Sequence, residues 1–289
     1  MKTPLILHDG TRAQLDAFLA SPAHGLLLAG SDGIGKTAIA EALLTELLQP
    51  RAELADHPYF MHLSPIGATI SIESIRSLQK FLQLKTTGTA PLRRAVLLEH
   101  AHTLTTEAQN AFLKLLEEPP ADTVVALTAN SPRTLLPTIL SRVQTITVHP
   151  PSENQLQPLL EGSAKDTVAT QQAYFLSGGL PGLLTALLSS DEAHPLLESV
   201  ATAKLLLQKS TVDRLSLVDS LSKQKDAARG VFEALSRIAD SGLQTATARQ
   251  DAARLAQWHH IRKIAFEARE QLEANANPKL VLTNSFLQL

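Results

Sequence analysis

Gly30-Ser31-Asp32-Gly33-Ile34-Gly35-Lys36-Thr37 fits G-x-x-x-x-G-K-[ST] at every specified position, and no other stretch of the chain constrains its fold as tightly. It follows a short apolar run, Leu26-Leu27-Leu28-Ala29, that reads as a buried strand, and it opens a stretch of helical period, Ala38-Ile39-Ala40-Glu41-Ala42-Leu43-Leu44. Strand, glycine loop and helix together are the context this pattern needs. Glycines let backbone N–H groups close around phosphate oxygens, and the helix start adds a positive dipole end. All eight loop residues are expected to line a nucleoside triphosphate, with Lys36 reaching the terminal phosphates and the Thr37 hydroxyl on Mg²⁺.

A chain of 289 residues is long enough for two or three domains with their own cores. It has no cysteine, which excludes disulfides, thiolate zinc sites and cysteine nucleophiles together. A formal net charge of −2 argues against a strongly basic, stand-alone nucleic-acid binder, though not against a local basic face. Aromatic residues are only 4% of the chain, so stacking platforms for single strands are not expected. No apolar stretch approaches the ~20 residues that span a bilayer. The segment Met1-Lys2-Thr3-Pro4-Leu5-Ile6-Leu7-His8 lacks the apolar region and cleavage site of a secretion signal. A cytoplasmic protein without membrane attachment is the expectation.

From residue 24 to about 148, strand-like runs alternate with helix-like segments, the signature of an α/β core with a mostly parallel sheet. The expected strands are Gly25–Ala29, Tyr59–Leu63, Ala95–Leu98, Val124–Leu127 and Thr145–Val148. Helical spacing marks Ile72–Leu84 and Thr105–Glu118, the second with Thr105 as N-cap and Pro119-Pro120 as its stop. After Pro150-Pro151-Ser152 the strand-like alternation ends and the rest reads as helices. Ser177-Gly178-Gly179-Leu180-Pro181-Gly182 reads as a break between helices, since no Lys-Thr follows. The expected organisation is a nucleotide-binding domain over 1–150, a small helical lid over 151–190 and a helical domain over 191–289. Within the last, helices are expected near 197–208, 212–240, 244–273 and 278–288.

Ala95-Val96-Leu97-Leu98-Glu99-His100 looks like a strand ending in an acidic position, where P-loop ATPases hold Mg²⁺ and activate the attacking water. The next segment, Thr106-Glu107-Ala108-Gln109-Asn110-Ala111-Phe112-Leu113-Lys114-Leu115-Leu116-Glu117-Glu118-Pro119-Pro120, resembles the A-x-N-A-L-L-K-x-L-E-E-P-P stretch of bacterial DNA polymerase III clamp-loader subunits, members of the AAA+ ATPases. Pro137-Thr138-Ile139-Leu140-Ser141-Arg142-Val143 resembles their T-I-L-S-R-C motif, and Asn275-Ala276-Asn277-Pro278-Lys279-Leu280-Val281-Leu282 their N-x-N-P-x-L-x-L ending. The resemblance implies an α/β nucleotide module, a lid and a collar through which five subunits form a ring. Such a ring loads the sliding clamp onto primed DNA, with tau/gamma and delta subunits as partners and ATP and Mg²⁺ between neighbours. It further implies that Asn130 is the polar sensor and that Arg142 is a finger reaching the neighbour's γ-phosphate.

Four departures from the family pattern bear on role. The Asp-Glu or Asp-Asp pair is here Glu99-His100: Glu99 can still reach a Mg²⁺ shell, but an imidazole lacks the charge and geometry of the water-activating carboxylate. Pro181 stands where the motor subunits carry a lid cation after Gly-Ser-Leu, the zinc insert is missing, and Val143 replaces a cysteine. The first two favour the delta-prime branch, which keeps the finger while its own hydrolysis is weak or absent. A hydrolytically active tau/gamma-like motor, a stand-alone P-loop kinase or hydrolase, and a scaffold that never binds nucleotide remain open alternatives. The pairs His57/His62 and His100/His102 are too few for a tetrahedral metal site. Arg93-Arg94 reads as a solvated strand entrance or a DNA-phosphate contact. Asn110 and Lys114 are candidate neighbour contacts, and Trp258 reads as core of the helical domain.

Overall fold

The computed structural model describes residues 5–50, 53–67, 69–162, 167–189 and 195–289. Met1–Pro4 and the expected boundary at 190/191 lie outside the described residues. The chain divides into two compact units, Met1–Gln157 with Leu180–Leu183, and Pro158–Gly179 with Leu184–Leu289. The expected lid, 151–190, therefore contributes residues to both.

The first unit is built on β1 (Gly25–Ala29), β2 (Phe60–Leu63), β3 (Arg94–Leu98), β4 (Thr123–Ala129) and β5 (Gln144–Thr147). They form one five-stranded parallel sheet in the order β2-β3-β4-β1-β5. Its helices are α1 (Asp9–Ala20), α2 (Lys36–Leu48), α3 (Ile72–Leu82), α4 (Thr106–Glu117) and the short α5 (Pro137–Leu140). β1, β3 and β4 are buried along their whole length, as strands covered on both faces must be, which is why they are near-continuous apolar runs. The two-residue period sorts them cleanly. Leu26, Leu28, Leu97 and Val124 pack with Leu15 and Phe18 of α1 and with Ile39, Leu43 and Leu44 of α2. Leu27, Val96, Leu98 and Val125 pack on the other face with Ile75 and Leu78 of α3 and Phe112 and Leu116 of α4. Thr105 caps α4 as expected, accepting the Ala108 N–H at 3.2 Å.

The arginine pair before β3 is not a solvated entrance. β3 begins one residue earlier than expected, at Arg94, whose side chain is 2% exposed. Its guanidinium donates to the carbonyls of Leu82 and Leu84 at the end of α3 and lies 5.6 Å from the centre of the Phe81 ring. A cation there satisfies carbonyls that the helix leaves unpaired, and it is out of reach of a DNA phosphate. Arg93 donates to Asp122 Oδ2 at 3.1 and 3.2 Å and to the Gly88 carbonyl at 2.8 Å. Burial pushes the Asp122 carboxyl up, but hydrogen bonds from Thr86 and Arg93 outweigh it and hold the group below its ordinary range.

The remaining helices are α6 (Glu153–Glu161), α7 (Thr167–Ser177), α8 (Pro181–Leu188), α9 (Pro195–Gln208), α10 (Thr211–Ser216), α11 (Val218–Ser222), α12 (Lys225–Ala248), α13 (Ala252–Glu273) and α14 (Pro278–Gln288). In the second unit α12 packs against α9 and α13, and Phe232 meets Phe286 of α14 with ring centres 6.4 Å apart. Arg237 of α12 donates to the Leu176 carbonyl at 3.1 Å and caps the end of α7. Trp258 is half-buried and lies flat on Gly242, where a Cβ would come within 2.3 Å of the indole. Any side chain at 242 would push α13 off α12. The Asn-x-Asn-Pro ending has a local cause. Asn275, at φ 61°, closes α13 in a Schellman turn, with Ala276 N–H on the Gln271 carbonyl at 2.9 Å and Asn275 N–H on Leu272 at 3.2 Å. Asn277 then caps α14, accepting the Lys279 N–H at 3.0 Å, with Pro278 at the first helical position. No described helix is long and apolar enough to cross a membrane.

Candidate functional site

Ligands of parallel α/β sheets sit beyond the carboxyl ends of the strands, where the chain leaves toward a helix. Here four adjacent strand ends deliver the expected loop, Asn130 and Glu99, together with His62, to one edge. The loop 30–37 follows β1, Asn130 follows β4, Glu99 follows β3, and His62 is the next-to-last residue of β2. The loop leaves the sheet through a Gly30 N–H bond to the Ala129 carbonyl at 3.1 Å. Gly30 has no room for a side chain, since a Cβ would stand 2.8 Å from the Val148 carbonyl. Gly33 and Gly35 take φ of 80° and 94°, conformations that L side chains rarely adopt. Ile34 is buried and anchors the loop to the core.

Lys36 is 6% exposed. Its ammonium donates to the carbonyls of Gly30 at 2.7 Å and Ser31 at 3.0 Å and to Asn130 Oδ1 at 3.3 Å, and it lies 3.5 Å from Asp32. Burial lowers the Lys36 pKa, opposed by the Asp32 and Glu99 carboxylates. Asn130 completes the group by donating to Asp32 at 2.8 Å. The Thr37 hydroxyl donates to Glu99 Oε1 at 2.5 Å, and Glu99 Oε2 lies 3.2 Å from His62 Nε2. His100, at φ 52°, is held by its own N–H on the Thr128 hydroxyl at 3.0 Å, which leaves its ring 3.8 Å from Glu99 Oε1. His102 meets the His100 ring edge-on at 5.5 Å; burial, then the neighbouring His100, lowers its pKa. Among the described residues no His, Asp and Glu group has the arrangement to hold a metal on its own.

The run Leu180–Leu183 lies against the loop. Leu183 donates its N–H to the Gly33 carbonyl at 2.8 Å, and a Cβ on Gly182 would come within 2.9 Å of Gly33 and Gly35 backbone atoms. The segment that resembles the lid motif of the motor subunits therefore touches the loop, but through backbone and the side chains of Leu180 and Leu183 rather than a cation.

Arg142 is not part of this cluster. Its carbonyl stands beside Gly25, the first residue of β1, whereas the loop leaves from the far end of that strand. Five residues of strand separate the two ends, about 13 Å at ~3.3 Å per step. Nor does it point freely into solvent. It donates to Glu117 Oε1 at 2.9 Å and to the Thr138 carbonyl at 3.0 Å. Asn110, Lys114 and Glu117 are all exposed on α4, with Asn110 and Lys114 one helical turn apart.

The donor set fits a magnesium-bound triphosphate. A helix start with no side-chain cap at Gly35, two left-handed glycines and a converging ammonium form a phosphate cradle, and Thr37 beside Glu99 sets a hydroxyl and a carboxylate where a hard cation is held. In the sequence His62 stands out only as half of a metal pair, and nothing there ties it to Glu99. The one signal was an imidazole in the otherwise apolar strand Phe60-Met61-His62-Leu63.

Residues 17–152 match a family model described as DNA polymerase III, delta subunit. The DNA polymerase III delta-prime subunit of Pseudomonas aeruginosa is 37% identical over 183 residues, 56% of this chain and 55% of that protein. Over about half of its length the chain is therefore similar to DNA polymerase III delta-prime subunits. The delta-prime subunit of Bacillus subtilis is 36% identical over 100 residues, 35% of this chain and 30% of its own. The alignments thus span about half, or less, of these delta-prime relatives. Among solved structures, a DNA polymerase III gamma subunit-related protein from Thermotoga maritima matches with a TM-score of 0.59 at 21% identity, over 96% of this chain and 98% of that one. That likeness is one of fold: a parallel α/β sheet module followed by helices.

Proposed function

We propose that this chain is a delta-prime-like clamp-loader subunit, a cytoplasmic protein that binds Mg-ATP at residues 30–37 and lends Arg142 to nucleotide on an adjacent subunit. On this reading 1–150 is the nucleotide domain, 151–190 the lid and 191–289 the collar that joins tau/gamma and delta subunits in a pentameric ring, which places the sliding clamp on primed DNA. The observation that carries it is the placement of Arg142, at the opposite end of β1 from the loop. A guanidinium so far from its own phosphate cradle serves catalysis only in an assembly.

Within the chain, Lys36 neutralises phosphate charge, Asn130 holds Lys36 and Asp32 in register, and Thr37 and Glu99 hold the cation. Magnesium, when bound, shields the phosphate oxygens and orients them. His100 stands where a carboxylate would activate water, and its backbone is locked by Thr128, so turnover by the chain itself is slow. A second reading, a working tau/gamma-like motor, draws on the 2.5 Å contact between Thr37 and Glu99, an intact cation pair.

Assembly separates the loader readings from a stand-alone kinase. Mixed with tau/gamma and delta subunits, the full chain is expected to co-elute from gel filtration as one larger complex, and to raise clamp loading over the mixture lacking it. Elution at its own volume under every condition, with loading unaffected, contradicts the proposal.

A further inference from the structure

We propose that His62 is a positioning residue for the Glu99 carboxylate and, through it, for the magnesium ion of a bound nucleotide. This rests on the reading of the loop as a Mg-nucleotide site and assigns a role to a side chain that belongs to none of the sequence motifs.

Glu99 leaves β3 with its N–H on the Leu63 carbonyl at 2.8 Å, so its backbone is fixed by β2. Its side chain is less constrained, because a glutamate has one more rotatable bond than the aspartate its position ordinarily carries, and that freedom must be lost when the cation binds. The two carboxylate oxygens divide their partners: Oε1 takes the Thr37 hydroxyl at 2.5 Å, and Oε2 faces His62 Nε2 at 3.2 Å. An ionised carboxylate only accepts, so His62 presents an Nε2–H whichever charge the ring carries. That bond sets the last torsion of Glu99 and keeps Oε1 turned toward Thr37. His100 does not substitute, since its Nε2 lies 3.8 Å away, beyond hydrogen-bond range. The β2–β3 register pairs His62 with Leu97, which brings the imidazole to the strand end that Glu99 occupies.

Partners of a ligating carboxylate commonly change metal affinity 10–100-fold. His62 is 38% exposed and Glu99 20%, which places the effect near the lower figure. The test is a calorimetric titration of the full chain with ATP, once with excess magnesium and once with EDTA. His62→Ala is expected to weaken Mg-ATP binding about tenfold while leaving the affinity in EDTA and the melting temperature unchanged. His62→Gln, whose amide nitrogen reaches the place of Nε2, is expected to restore most of the loss. An unchanged Mg-ATP affinity in His62→Ala, an equal loss with and without magnesium, or no rescue by glutamine each overturns the positioning role alone. No Mg-ATP binding by the wild-type chain overturns the nucleotide reading, and this inference with it.

Discussion

Replacing Arg142 by alanine is expected to cut ATP turnover of the reconstituted loader by about 10³-fold or more at the site it serves, while the chain itself folds as before. The two halves of that expectation have different causes. In the isolated chain Arg142 pairs with Glu117 at 2.9 Å, between side chains 34% and 49% exposed. Pairs this exposed contribute roughly 0–1 kcal/mol. Losing the pair therefore shifts the melting temperature little, and the finger leaves Glu117 at small cost when a polyphosphate is presented. At a transferring phosphoryl group the same guanidinium meets charge spread over several oxygens in a dry site, where a planar fork of donors is worth far more. Arg142→Lys is expected to recover only part of the turnover, because an ammonium cannot reproduce the two-pronged geometry. Turnover unchanged in Arg142→Ala, measured in the full assembly, removes the finger assignment.

Lys36→Ala is expected to weaken Mg-ATP binding by roughly 30-fold or more, the equivalent of about 2 kcal/mol or above for truncating one member of a buried, hydrogen-bonded charge contact. The side chain is 6% exposed and already desolvated, so little hydration must be stripped when phosphate arrives. Its nearest partners, the carbonyls of Gly30 and Ser31 and the Asn130 amide oxygen, are neutral acceptors, and the Asp32 carboxylate lies farther off at 3.5 Å. A phosphate oxygen is a stronger acceptor than those neutral groups, and the ammonium exchanges toward it. Calorimetry on the variant checks this, with circular dichroism to show that α2 persists. Equal affinity in Lys36→Ala and wild type would falsify the assignment of the loop as the nucleotide site.

Much of the sheet was legible because its physics is local. β1, β3 and β4 had to be unbroken apolar runs to survive burial on both faces, and Thr105, Asn277 and Pro278 announce their helix starts by residue type alone. The loop geometry followed from the same kind of signal, glycines at positions that need positive φ. What stayed hidden depends on partners distant in sequence. Arg94 looks solvated until α3 is seen to end its carbonyls against it. His62 acquires meaning only when β2 is set beside β3, and the pair of Arg142 with Glu117 needs α4 and α5 folded together. One helix expected over 212–240 is instead α10, α11 and α12. No proline or glycine marks those breaks; Ser216 and Ser222 turn their hydroxyls back onto the carbonyls of Asp213 and Asp219, an alternative to continuing the helix that composition does not advertise. Trp258, expected in the core, is only half-buried, because Gly242 gives it a shelf rather than a pocket.

On the function proposed, the loop 30–37 takes up nucleotide although His100 stands where a water-activating acid would be. Titration of the purified chain with Mg-ATP in a calorimeter, followed by phosphate release measured on the same sample, tests both halves together. The prediction is saturable binding at one site per chain with turnover close to the uncatalysed background. Absence of any binding heat contradicts it, and so does brisk turnover that disappears in His100→Ala.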